Sequence, residues 1–282
     1  MSPRPTTPSS ATFRAAVIQA EPVLHDTPQT VAHAVALIAE AAGSGARLIV
    51  FPEAFLGGYP KGADFGITLG SRTLEGREAF AQYFAGAIDV PGPEVQALAE
   101  AAEKHSVEVV IGVIERSAST LYCTALYLGA DGSLRGKHRK LVPTALERCV
   151  WGRGDGSTLE ACMPLYRSSL YEQGVDLYCA PTVDDRDVWQ STMRHVAIEG
   201  RTFVFSACQF MHGKEAGDAP LIRGGSVIID PLGEVLAGPV YGKATILYAE
   251  INPAIIAMGR FDLDVTGHYA RPDLFELKTH RS

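Results

Sequence analysis

From Val31 to Ala42 the apolar residues Val31, Ala34, Val35 and Ile38 recur at helical spacing, and Gly43 and Gly45 then stop the helix. Leu48-Ile49-Val50-Phe51 follows directly. A continuous apolar run entered from a helix fits a strand covered on both faces in a mixed or parallel sheet. The same order returns twice. A helix over Glu94 to His105 leads into a strand over Val107 to Ile114, and a helix near Ser191 to Glu199 leads into Thr202 to Cys208. Hairpin signals lie between these αβ units: Tyr122 to Leu128 turns at Ala130-Asp131-Gly132-Ser133 into Leu134 to Lys137, and Ser226 to Ile229 turns at Asp230-Pro231-Leu232-Gly233 into Glu234 to Ala237. Antiparallel pieces woven among αβ units predict an α/β protein built as a layered sandwich rather than a barrel.

Composition narrows the organisation. With 282 residues, 46% of them hydrophobic, the chain can bury one large core or two small ones. No Pro/Gly/Ser-rich linker or charge run divides it, so a single domain over 13–275 is expected. Residues 1–12, which begin MSPRPTTPSS, read as a disordered tail, and 276–282 as a C-terminal one. The formal charge of −7 and the scattered basic residues disfavour partnership with nucleic acid or an anionic membrane. No apolar stretch approaches the roughly 20 residues that span a bilayer, so a soluble, cytoplasmic protein is expected. The five cysteines, Cys123, Cys149, Cys162, Cys179 and Cys208, are irregularly spaced, with no CxxC pair. Disulfide frameworks and structural zinc are poor readings of them.

Candidate chemistry begins where the first buried strand ends, at Phe51-Pro52-Glu53-Ala54-Phe55-Leu56-Gly57-Gly58-Tyr59-Pro60. Ligands of α/β sheets bind beyond the carboxyl ends of strands, and a carboxylate there suits a general base. On position alone a loop or helix-capping acid fits Glu53 equally well. Lys137-His138-Arg139-Lys140-Leu141-Val142-Pro143-Thr144 closes a hairpin. A lysine held in a pocket would stabilise charge developing in a transition state, but nothing local chooses between Lys137 and Lys140, and a solvated basic patch is the plainer reading. The run Glu147 to Ser157 is glycine-rich without the closing Lys-Ser/Thr of a phosphate loop, so it reads as a tight turn. Ser226 lacks the second glycine of a nucleophile elbow, and the eight histidines show no HExxH spacing. Cysteine chemistry remains. Cys123, Cys179 and Cys208 fall in strand-like stretches, where a thiol acts as a small apolar group, which leaves Cys149 and Cys162.

These blocks, together with Cys179-Ala180-Pro181-Thr182-Val183-Asp184-Asp185-Arg186 and Met193-Arg194-His195, resemble the nitrilase branch of the nitrilase superfamily from about Phe13 to Phe275. The resemblance implies a four-layer α-β-β-α sandwich, a homodimer or larger homo-oligomer, a Glu-Lys-Cys catalytic set and no cofactor. Glu53 matches the family's general base, Lys140 its lysine, and Glu147 a second glutamate that positions the lysine or the substrate. Tyr59 and Trp189 match walls of the substrate pocket, with core packing as the alternative for each. The nucleophile carries over on less: the family places two short strands and a Cys-Trp-Glu-Asn-Tyr elbow before Met-Pro-Leu, whereas here Leu159-Glu160-Ala161-Cys162 runs straight into Met163-Pro164-Leu165. Cys162 is the positional match, and a core hairpin ahead of it is expected to be missing. The implied reaction is hydrolysis of a small organic nitrile to a carboxylic acid and ammonia. Amide or carbamoyl hydrolysis on the same fold is one alternative. A catalytically impaired deletion variant, natural or engineered, that keeps a structural or binding role is the other.

Overall fold

The computed structural model describes residues 11–155, 163–213, 215 and 217–278. In chain order these form β1 (Phe13–Gln19), α1 (Thr27–Gly43), β2 (Ala46–Val50), the ribbon β3 (Ile67–Thr68) and β4 (Ser71–Arg72), α2 (Leu74–Ala85), β5 (Ile88–Asp89) and α3 (Pro93–His105). The long strands β6 (Glu108–Ser117), β7 (Thr120–Leu128) and β8 (Leu134–Arg139) follow, then a 3-10 turn (Ala145–Cys149). The second half holds α4 (Pro164–Glu172), β9 (Leu177–Thr182), α5 (Asp187–Gly200), β10 (Phe203–Cys208), β11 (Phe210–Met211), β12 (Ile222–Ile229), β13 (Val235–Tyr241), β14 (Thr245–Ile251) and α6 (Ala254–Asp262).

Two sheets carry the architecture. The first runs β14-β1-β2-β6-β7-β8, with β5 also on β6, and the second runs β11-β12-β10-β9, with β13 on β12. β2 pairs in parallel with both β1 and β6, as its apolar run requires. Its side chains divide by face. Ile49 packs with Ala34, Ile38 and Leu98 of α1 and α3, whereas Leu48 and Val50 pack with Phe203 and Phe205 of the second sheet. On the far side of that sheet Val204, Val227 and Ile229 meet Met193, Val196 and Ala197 of α5. Helix, sheet, sheet, helix is therefore the layer order, the expected α-β-β-α sandwich. Phe203 and Phe205 are fully buried between the sheets, and each contributes roughly 2–3 kcal/mol through the apolar area it removes from water.

Local chemistry sets the ends of these elements. Asp26 caps α1, its side chain accepting from Gln29 N, with a proline in the first turn. The turn of the β7-β8 hairpin uses Gly132 at φ +72°, open to glycine without strain. Between the 3-10 turn and α4 the described residues contain no strand, and β9 pairs with β10 alone among the named strands. The expected tail residues 1–10 and 279–282, and Cys162, lie outside the described residues.

Candidate active site

Glu53 stands just past β2, where the chain continues beside β6 without regular pairing. Phe51 N donates to Val110 O at 2.7 Å, Gly112 N to Pro52 O at 3.1 Å, and Leu56 N to Gly112 O at 3.1 Å. The bend needs Ala54 at φ +51°, a left-handed conformation that a non-glycine residue adopts only under constraint. Gly112 permits the close approach, since a Cβ there would sit 2.5 Å from Ala54 N and 2.6 Å from Glu53 Cα. From the second sheet, buried Gln209 donates through Nε2 to Glu53 O at 2.7 Å and Ala54 O at 3.2 Å.

The carboxylate enters a compact polar cluster. Lys140 Nζ lies 2.9 Å from Glu53 Oε1 and 3.1 Å from Glu147 Oε2. Cys123 Sγ donates to the same Glu53 Oε1 at 3.3 Å. Among the described residues nothing bonds Glu53 Oε2. Glu147 has both oxygens engaged: Oε1 accepts from Tyr59 OH at 2.8 Å, and Oε2, besides meeting Lys140, accepts from Thr144 N at 2.6 Å in the capping box of the 3-10 turn. Trp151 closes the group, its ring edge-on to Tyr59 at 5.7 Å between centroids and 5.7 Å from Lys140 Nζ. Tyr83 receives Trp151 Nε1 at 3.2 Å and donates to Gly58 O at 3.2 Å. Burial disfavours the charge on Lys140, but the carboxylates of Glu53 and Glu147 outweigh it and hold its pKa well above lysine's usual value. The charged ammonium is favoured.

Of the sequence-derived candidates, the structure brings together Glu53, Lys140, Glu147 and Tyr59. It also decides between the two lysines. Lys137 and Arg139 point to the opposite face of the sheet and meet buried Glu115, Lys137 Nζ at 2.6 Å and Arg139 Nε at 2.9 Å from its oxygens. Trp189 is elsewhere: it packs in the cluster of α5 with the second sheet and donates through Nε1 to Ser206 Oγ at 2.9 Å. Sequence reasoning missed Cys123 and Gln209, because both reach Glu53 across chain separations of 70 and 156 residues.

A carboxylate with one oxygen that no described residue bonds, beside an ammonium and under an aromatic wall, is equipped to take a proton and to stabilise an anion. The chain belongs to the carbon-nitrogen hydrolase family, which matches it over residues 14–260. Relatives of that class include the aliphatic nitrilase of Sinorhizobium fredii (strain HH103), 53% identical over 94% of both chains. The bifunctional nitrilase/nitrile hydratase NIT4A of Nicotiana tabacum is 48% identical over 95% of this chain and 86% of its own. The first alignment runs over 292 positions, more than the 282 residues present, so that relative carries residues with no counterpart here. Saccharomyces cerevisiae Nit3, a member of branch 10 of the nitrilase superfamily, shares the fold at a TM-score of 0.73 and 20% identity, covering 92% of this chain and 97% of its own.

Proposed function

We propose that the chain hydrolyses an organic nitrile to a carboxylic acid and ammonia. The reading rests on one observation: Lys140 bridges Glu53 and Glu147 through Glu53 Oε1, and no described residue bonds Glu53 Oε2, which is left to take a proton. Similarity to nitrilases over nearly the whole chain supports the nitrile as substrate. Cys162 supplies the nucleophile. In the sequence it stands directly before Met163-Pro164-Leu165, the position the resemblance gives to the nucleophile.

Glu53 takes the thiol proton, sulfur bonds to the nitrile carbon, and one C–N π pair moves to nitrogen beside Lys140. Glu53 passes that proton to the nitrogen, which gives a thioimidate and restores the free carboxylate. Water, deprotonated by Glu53, adds to the same carbon. The C–N bond then breaks, releasing ammonia and leaving a thioester. A second water cleaves the C–S bond, which frees the acid and restores the thiol. Glu147 holds Lys140 rather than reacting, because its two oxygens are occupied. Tyr59 and Trp151 stand edge to face beside the Lys140 ammonium and supply an aromatic wall to the site.

The same reading makes the chain a single catalytic domain over 13–275, with tails at both ends, that works in the cytoplasm as a homodimer or larger homo-oligomer. Apolar Met258 and Phe261 of α6, 62% and 91% exposed, and Phe275, 79% exposed, support self-association. No described helix is long and apolar enough to cross a membrane. The test is ammonia release from simple nitriles and from the matching amides. Nitrile turnover that disappears in Glu53→Gln, Lys140→Ala and Cys162→Ala supports the mechanism. Turnover retained in Cys162→Ala removes that residue from it, and turnover of amides alone favours amide hydrolysis. The shortened segment favours a second reading, a non-catalytic family member, and ammonia from neither substrate would establish it.

A further inference from the structure

The reaction above has no use for Cys123, although its thiol touches the base. Cys123 lies on β7, 6% exposed, in a cluster with Ile114, Leu121 and Trp151. A thiol buried to this degree is poorly placed to meet a substrate carbon, and another role suits it better. Burial, and then the negative charge of Glu53, push its pKa well above the usual thiol value. A thiol that keeps its proton and faces a carboxylate at 3.3 Å is a hydrogen-bond donor.

Placement gives that bond a purpose. Lys140 N donates to Cys123 O at 2.8 Å, so the two residues are cross-strand neighbours that reach the same oxygen, Oε1, from one floor. The other groups around Glu53 are Glu147, Tyr59, Tyr83 and Cys208, and none of them donates to Oε1. We propose that Cys123 is a positioning residue whose thiol fixes the carboxylate of Glu53, committing Oε1 and turning Oε2 toward the reacting thiol and water. The lysine alone is a swivelling point donor. A second donor at a different angle removes the remaining rotation of the carboxylate plane.

The inference rests on Glu53 being the base, and two readouts separate its failure from that of the nitrile reading. In turnover, Cys123→Ala should lower kcat roughly tenfold, the rate equivalent of one hydrogen bond to a charged group, with KM unchanged. Cys123→Ser, which keeps a donor, should recover most of the loss, and Cys123→Val serves as the donor-free variant if alanine does not fold. In the infrared, which needs no turnover, the S–H stretch of Cys123, identified by its loss in Cys123→Ala or Cys123→Val, should lie below the free-thiol position. It should move up in Glu53→Gln, because an amide accepts more weakly than a carboxylate. A band indifferent to Glu53→Gln, wild-type kcat without the donor, or a serine variant as impaired as the donor-free one overturns the proposal. A band that moves in a protein with no nitrile turnover overturns the nitrile reading alone.

Discussion

Gln209 of the second sheet donates to the backbone carbonyl of Glu53 of the first, at 2.7 Å, and so the base is held from both sheets at once. Its amide is fully buried, and among the described residues no donor reaches its own Oε1. Gln209→Leu keeps the bulk and removes the tie, leaving two carbonyls unsatisfied. We expect a loss of about 2 kcal/mol in stability and a fall of about tenfold or more in kcat, measured by urea unfolding and by ammonia release. Unchanged kcat in the folded variant would show that the turn holds itself.

Gly112 is the floor on which that turn rests. A methyl group at Gly112 would meet backbone atoms, not flexible side-chain ends. Gly112→Ala should therefore move Glu53 rather than simply crowd it. Overpacking costs about 1–3 kcal/mol, and a displacement of about 1 Å costs on the order of a hundredfold in rate. The expected signature is a rate loss out of proportion to the change in melting temperature.

Glu115, 1% exposed on the other face of the sheet, holds β8 through Lys137 and Arg139 and β7 through Thr124. Burial opposes its charge, but bonds from Arg139, Lys137 and Thr124 prevail and hold its pKa below the usual 4.5. A depressed carboxyl stabilises the fold above its unfolded pKa and stops doing so as pH falls through its folded one. Glu115→Gln should lose about 2 kcal/mol at pH 7, discounted from a wholly buried pair because Lys137 and Arg139 keep some water. The gap between variant and wild type should close below pH 4.5, read from urea midpoints across pH. A gap of constant size would mean that the carboxylate charge plays no part.

His138 should make the fold acid-sensitive in a higher window. Burial lowers its pKa from 6.5 to about 4, with Asp155 opposing. The unfolded chain therefore binds a proton that the folded one refuses, and stability drops as pH falls from 6.5 to about 4. His138→Asn should flatten that part of the stability curve relative to wild type. An equal slope in the two proteins would assign the acid loss to other groups.

The layers were legible wherever one element carried its own pattern. The helical spacing of Val31 to Ile38 lies within α1, the run Leu48 to Val50 is buried on both faces, and the Asp131-Gly132 turn joins β7 to β8. Phe51 differs, standing just beyond β2 because the chain bends toward Glu53. Neither α2 nor the 3-10 turn was read, the first having a weak apolar stripe and the second deriving its order from Thr144 and Glu147 together. In the site, Glu53, Lys140 and Glu147 could be found through motifs because each lies in its own short block. Cys123 and Gln209 could not, since their roles depend on which strand lies beside which, and no local window contains that.

The two lysines of Lys137-His138-Arg139-Lys140 are sorted by parity. Odd positions of this strand meet Glu115, and position 140 meets Glu53. What the site reads is thus the number of steps between the letters, more than the letters themselves. One residue gained or lost inside that word would barely alter composition, charge or length, and would still send the ammonium through to the wrong side of a sheet. At this strand an indel of one is a chemical mutation as much as a structural one.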